Sequence, residues 1–199
     1  REQIADLLWP ELDADAAVRD FKVALNALNR ALEPTLPRGA APFFIARHEH
    51  LYALNPMAEV IVDVDLFEQM STSDDVAALR QALDLYTGDY LQESLYSDWS
   101  MEVRSRMGRM YLETAERLAQ KLLEMDELEE LVDVCELILH RDRFWEEAYR
   151  LLMQGYAIRH NRSQLMHTYR RCELVLRDGL GIEPARETQA LYEKLMEKM

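Results

Sequence analysis

From residue 74 to residue 199 the apolar residues recur at intervals of three and four, so this part of the chain is restricted to amphipathic α-helices. Val76, Leu79, Leu83 and Tyr86 mark a first helix that Gly88 is expected to stop. Trp99, Val103, Met107, Met110, Tyr111, Leu118, Leu122 and Met125 mark a long one beginning near Asp98. Further helices are expected over about 127–140, 145–160, 163–178 and 185–199, with connections too short for anything but antiparallel neighbours. Laying Met125–Asp126 over His160–Asn161 puts Leu131 over Met166, Val134 over Tyr169 and Leu137 over Cys172, an internal repeat at an offset of 35 residues. A helical hairpin of that length cannot bury its apolar face alone, so successive hairpins are expected to stack. The expected architecture is tetratricopeptide-like, with a concave surface left for a partner.

The N-terminal part has a different grammar. Ile4, Leu7 and Leu8 share one side of a short helix that Pro10 ends near Trp9. Asp13 or Asp15 is a natural N-cap for a helix over residues 16–33, and Pro34, Pro37 and Gly39 close that helix off. At about 100° per residue, Val18, Phe21, Leu25, Leu28 and Leu32 form its packing stripe, extended by Ala24 and Ala31. Beside the stripe lie Arg19, Lys22, Asn26, Asn29 and Arg30, with no carboxylate among them. Asn can bond an adenine edge bidentately, and Arg and Lys can hold phosphate or guanine, so the row is a candidate DNA-reading surface; an ordinary solvated helix face is the bland alternative. Two apolar runs, 43–46 and 51–54, then flank a polar tip, Arg47 to His50, as in a β-hairpin. The alternation over residues 60–65 suggests one more short strand, with Asp65 capping a brief helix through Met70. The domain boundary is expected at 59/60.

A helix–turn–helix followed by a hairpin has the outline of a winged helix. The order LLWPELDAD, NALNRALEP, LYALN and VIVDVDLFE resembles the second half of the winged-helix domain of the antibiotic-regulatory-protein-type bacterial transcriptional activators. YTGDYLQESLYSDW, VRSRMGRMYLETAERLAQKLLE and YRRCELVLRDGLGIEPARETQALYEKL resemble the bacterial transcriptional activator domain that follows it in that family. The resemblance implies a mainly α protein: a truncated winged helix-turn-helix with a β-hairpin wing, then an α-helical tetratricopeptide-like repeat domain. It implies double-stranded promoter DNA as a partner, read by Arg19, Lys22, Asn26, Asn29 and Arg30, with Arg47, His48 and His50 of the wing against phosphate or minor groove. The chain opens at Arg1 in mid-pattern, which suggests a fragment of a longer protein.

Charge distribution sharpens this division. Residues 1–56 hold 6 Lys/Arg and 8 Asp/Glu, residues 57–139 hold 6 and 20, and residues 140–177 hold 8 and 4. A chain of net charge −14 is not one that coats itself in nucleic acid, though a short DNA-reading helix in the near-neutral first segment is compatible with it. Arg143, Arg150, Arg159, Arg162, Arg170, Arg171 and Arg177 are candidates for contacting an acidic partner, either RNA polymerase or a second copy of the chain; pairing with neighbouring acids is the alternative.

Catalytic chemistry has no visible carrier. The chain lacks a Gly-rich phosphate loop, HExxH, cysteine pairs and GxSxG, and paired acids such as Asp74–Asp75 and Glu129–Glu130 fit the first turns of helices. No enzyme, cofactor or metal is expected. Cys135 and Cys172 fall in apolar helical patterns and read as buried thiols. No long uncharged run suggests a membrane span, and a cytoplasmic location is the default. Two functions fit: a transcription regulator that binds DNA and a partner, or a helical-repeat protein-interaction scaffold that does not bind DNA.

Overall fold

A computed structural model describes residues 1–37, 39–94 and 98–199; the part of the expected 87–99 turn at residues 95–97 lies outside the described residues. The chain divides into two compact units, Arg1–Ile61 and Val62–Met199.

The first unit holds α1 (Glu2–Leu8), α2 (Ala14–Leu32) and an antiparallel pair, β1 (Ile45–His48) with β2 (Leu51–Leu54). Asp13 caps α2, its carboxylate accepting from the Ala16 amide at 2.8 Å, which satisfies one of the amides a helix start leaves open. The small core consists of Ala5, Ala17 and Phe21, with Trp9, Leu25 and Tyr52 packed on it. Phe21 meets the Tyr52 ring edge-on at 5.0 Å, so an aromatic contact ties α2 to the hairpin. The expected stripe is only partly used: Val18 and Leu25 are half-buried, whereas Ala24, Leu28, Ala31 and Leu32 are exposed. The second strand falls on the expected run 51–54, but the first is shifted by two residues from 43–46 to 45–48. Arg47 and His48 belong to β1, opposite Tyr52 and Leu51, and the tip shrinks to Glu49–His50. Glu49 takes the left-handed turn conformation at φ 54°.

The second unit comprises α3 (Asp63–Ser71), α4 (Val76–Leu85), α5 (Asp98–Glu124), α6 (Leu128–Arg141), α7 (Glu146–Ile158), α8 (Arg162–Leu180) and α9 (Arg186–Glu197). Residues expected as a strand at 60–65 instead lead into α3. Val62 does have extended φ and ψ, but no strand among the described residues pairs with it, and helix formation from Asp63 lets Phe67 and Ser71 bury on one face. Asp65 therefore sits inside the first turn rather than capping it. The α4 helix ends at Leu85, short of Gly88.

Helix α7 packs against α5, α6, α8 and α9, so alternate helices α5, α7 and α9 are neighbours, as in a helical-repeat stack. The repeat is exact at 34 residues rather than 35. Thr114, Ala115, Leu118 and Ala119 are buried on α5, and their counterparts Ala148, Tyr149, Leu152 and Met153 are buried on α7. Leu131, Val134 and Ile138 likewise correspond to Leu165, Thr168 and Cys172. The turns repeat too: Asp126 and His160 are both left-handed, and the amides that follow, Glu127 and Asn161, bond back to Leu122 and Tyr156 at 2.9 and 2.8 Å. An offset of 35 matches apolar letters but lays exposed Leu137 over buried Cys172.

Both cysteines lie in this core, fully covered, with burial pushing the Cys135 thiol well above its usual range and the Cys172 thiol to about 12. Neither thiolate is accessible at neutral pH. Both are expected to resist an aromatic disulfide reagent in the native protein and to react together once urea unfolds the second unit; rapid native labelling of either would contradict their placement.

Candidate nucleic-acid interface

One carboxylate ties the start of the hairpin to the end of α2, and one asparagine closes the hairpin's base. Glu33, just past the end of α2, accepts from the Phe43 and Phe44 amides at 2.7 and 3.3 Å through one oxygen. Asn55 donates its side-chain amide to the Phe43 carbonyl at 2.8 Å and its backbone amide to the Phe44 carbonyl at the same distance. Glu33 and Asn55 are thus positioning residues that the sequence pattern did not reveal, because a side chain bonding ten residues away leaves no periodic signal.

The result is an open cleft of about 620 Å³ between the C-terminal half of α2, residues 34–37 and 39–42, and the hairpin. Asn26, Asn29, Arg30 and Arg47 line it, over a floor of Leu25, Ile45 and Tyr52. Four of the eight residues expected to touch DNA therefore come together. Arg47 is steadied by donating Nε to the Glu49 carbonyl at 3.0 Å, and its guanidinium lies 5.8 Å from the Tyr52 ring centre. The Asn29 side-chain oxygen is covered and without a hydrogen-bond partner among the described residues. Arg19 and Lys22 lie outside the cleft on the same helix, exposed, and His48 and His50 lie at the far end of the hairpin, also exposed. Arg19, Lys22, Arg30 and Arg47 have no ion-pair partner among the described residues. Four cations without ion-pair partners among the described residues, together with the exposed Asn26 carboxamide, can hold phosphates and read base edges.

The arginines of residues 140–177 do not form one surface. Arg150 is turned inward: it pairs with Glu147 and donates to the Thr188 hydroxyl at 2.8 Å, and Thr188 in turn donates to Glu146 at 2.7 Å, locking α9 onto α7. Arg171 grips Glu136 at 2.6 and 2.9 Å, joining α8 to α6. Arg143 lies over the Phe144 ring at 4.8 Å, Arg159 is 4.0 Å from Glu129, and Arg177 reaches Asp178 at 3.3 Å. Arg162 and Arg170 have no ion-pair partner among the described residues. Arg150, Arg159, Arg171 and Arg177 thus each have an acid of the chain within ion-pair distance.

Sequence reasoning also passed over the cations that fasten α4 and its following loop. Arg80 bonds Glu130 through two nitrogens at 2.6 Å and Glu127 at 2.9 Å, holding the Glu130 carboxyl below its ordinary range. That contribution to stability is present above the unfolded carboxylate range and is lost as pH falls through the lowered folded value. Arg104 donates to the Tyr90 and Ser94 carbonyls at 2.9 and 3.1 Å, and Arg141 bonds Tyr86 and Asp89 while lying 4.8 Å from the Tyr86 ring.

The family model described as the bacterial transcriptional activator domain matches residues 62–196. None of the curated proteins matches by sequence. Among solved structures, Mycobacterium tuberculosis EmbR in complex with a low affinity phosphopeptide is similar, with a TM-score of 0.79 at 18% identity. The match covers 100% of this chain and 54% of that one, so the chain spans about half the length of the protein it resembles.

Proposed function

As the chain belongs to the bacterial transcriptional activator domain family, we propose that it is a transcription regulator that acts by binding rather than by catalysis. It holds double-stranded promoter DNA through α2 and the hairpin, and contacts RNA polymerase or a second copy through the helical unit. The observation that carries this reading is the row of Arg19, Lys22 and Arg30 on α2, without ion-pair partners among the described residues, on the same side as Asn26 and joined across the cleft by Arg47. The cleft-lining carboxamides supply base readout, and Arg19, Lys22, Arg30 and Arg47 supply phosphate contacts. His48 and His50 extend the hairpin's contact with the backbone. A cytoplasmic location goes with this role, and no described helix is long and apolar enough to cross a membrane.

The balance of 6 basic and 8 acidic residues in the first 56 favours the other reading, a protein-interaction scaffold without DNA binding. A salt titration separates the two. With four cations on phosphates, log K for DNA should fall against log salt with a slope of about −3.6. A chain that binds promoter fragments with no salt dependence, or not at all, is the scaffold.

A further inference from the structure

The outward sides of α6 and α8 carry opposite charge. On α6, Glu129, Asp133, Glu136 and Leu137 follow one exposed stripe at i, i+4, i+7 and i+8. On α8, His167, Arg170, Leu174 and Arg177 follow another at i, i+3, i+7 and i+10. The Glu136–Arg171 pair crosses between the two helices at 2.6 Å, each side chain more than a third exposed, so both stripes open on one side of the unit. Asp133 and Arg170 have no ion-pair partner among the described residues, whereas Glu129 lies 4.0 Å from Arg159 and Arg177 lies 3.3 Å from Asp178, both pairs exposed enough to exchange partners. Leu137 and Leu174, one on each helix, are 49% and 48% exposed.

We infer that this α6–α8 face is where a second copy of the chain docks, in a two-fold arrangement. The occupant follows from charge complementarity. An axis running between the two helices lays the acidic α6 of each copy on the basic α8 of the other, and lays Leu137 on Leu174 of the partner subunit; both contacts then occur twice. Duplex DNA does not fit, because half of the face repels phosphate. A partner of one charge does not fit either, since it would satisfy one helix and be repelled by the other. At 1.5 Å per residue, α6 and α8 are about 21 and 28 Å long, giving a face on the order of 500 Å² per copy. That is below the ~800 Å² per partner of a standard stable complex, so the dimer is weak and strongly salt-dependent.

This inference rests on the assembly role proposed above for the helical unit, and its test reads assembly without DNA. Sedimentation equilibrium of the whole 199-residue chain should show a reversible dimer at low salt, at up to about 100 µM protein, that dissociates near 0.5 M salt. Two variants reverse one half of the face each: Arg170→Glu with Arg177→Glu, and Glu129→Lys with Asp133→Lys. All four positions are exposed, and circular dichroism checks that each variant keeps its helix content. Each variant alone should dimerise at least about tenfold more weakly, because every reversed charge is met twice. An equimolar mixture of the two should regain association, one face now wholly acidic and the other wholly basic. A monomer under all conditions, a dimer that neither variant weakens, or a mixture that fails to recover overturns the proposal. If the chain is monomeric yet its DNA affinity keeps the steep salt slope, this face is not the assembly surface and the DNA-binding reading stands. If the dimer forms and DNA binding is absent, the reverse holds.

Discussion

Replacing Tyr149 by alanine should cost the second unit about 3–5 kcal/mol and lower its melting temperature by on the order of 10 °C. Tyr149 is fully buried at the centre of the helix stack, and its hydroxyl donates to the Arg143 carbonyl at 2.9 Å. Its ring also lies 5.7 Å from the Arg171 guanidinium, the same group that joins α8 to α6. Truncation therefore opens a cavity among α6, α7 and α8 and leaves a carbonyl without its partner. Tyr149→Phe isolates the second effect and should cost about 1 kcal/mol. Urea unfolding of the two variants, followed by helix signal, gives both numbers; an alanine variant within about 1 kcal/mol of the parent would mean that the ring does not fill the core as described.

The position of Tyr149 also explains what the sequence could and could not disclose. The helices of residues 74–199 were legible because burial on one face imposes a period near 3.6, and that signal survives any exchange among apolar residues. The repeat register was not. At 34 residues, Ala115 stands against Tyr149, Thr114 against Ala148 and Val134 against Thr168, pairs equal in burial but unlike in size or polarity. Packing compensates large against small across neighbouring helices, so letter-matching slides to the next offset. The turn residues Asp126 and His160 held the register better, since a left-handed turn is a backbone requirement.

Local alternation misleads at 60–65 for a related reason: a strand needs a partner, and VIVDVD has none among the described residues, whereas Phe67 finds a tilted contact with Tyr86 at 5.4 Å once α3 forms. The site shows the same division. The exposed row on α2 followed from helical angles alone, but the cleft joining Asn26, Asn29 and Arg30 to Arg47 depends on Glu33 and Asn55, whose bonds span ten residues or more. Likewise nothing local distinguished Arg171, committed to Glu136 35 residues away, from Arg162 and Arg170.

Substituting Lys22 and Arg30 together by alanine should flatten the salt dependence of DNA binding by about 1.8 slope units, since each cation on a phosphate releases about 0.9 of a counterion. Over the fourfold change from about 50 to about 200 mM salt, the parent should thus lose roughly tenfold more affinity than the double variant. Both side chains are exposed, are unpaired among the described residues and lie outside the Phe21 core, so folding should be untouched. Loss of binding would then report lost contacts rather than a lost helix. Asn26→Ala should act differently: its carboxamide faces the cleft beside Arg30 and carries no charge, so the slope should stay while discrimination among base sequences weakens, by about 1–3 kcal/mol at the base it reads. Measuring each variant on a promoter fragment and on a scrambled duplex across salt separates the two kinds of contact. An unchanged slope in the Lys22, Arg30 variant would remove α2 from the phosphate backbone, and would leave the cleft between α2 and the hairpin as a surface for another protein.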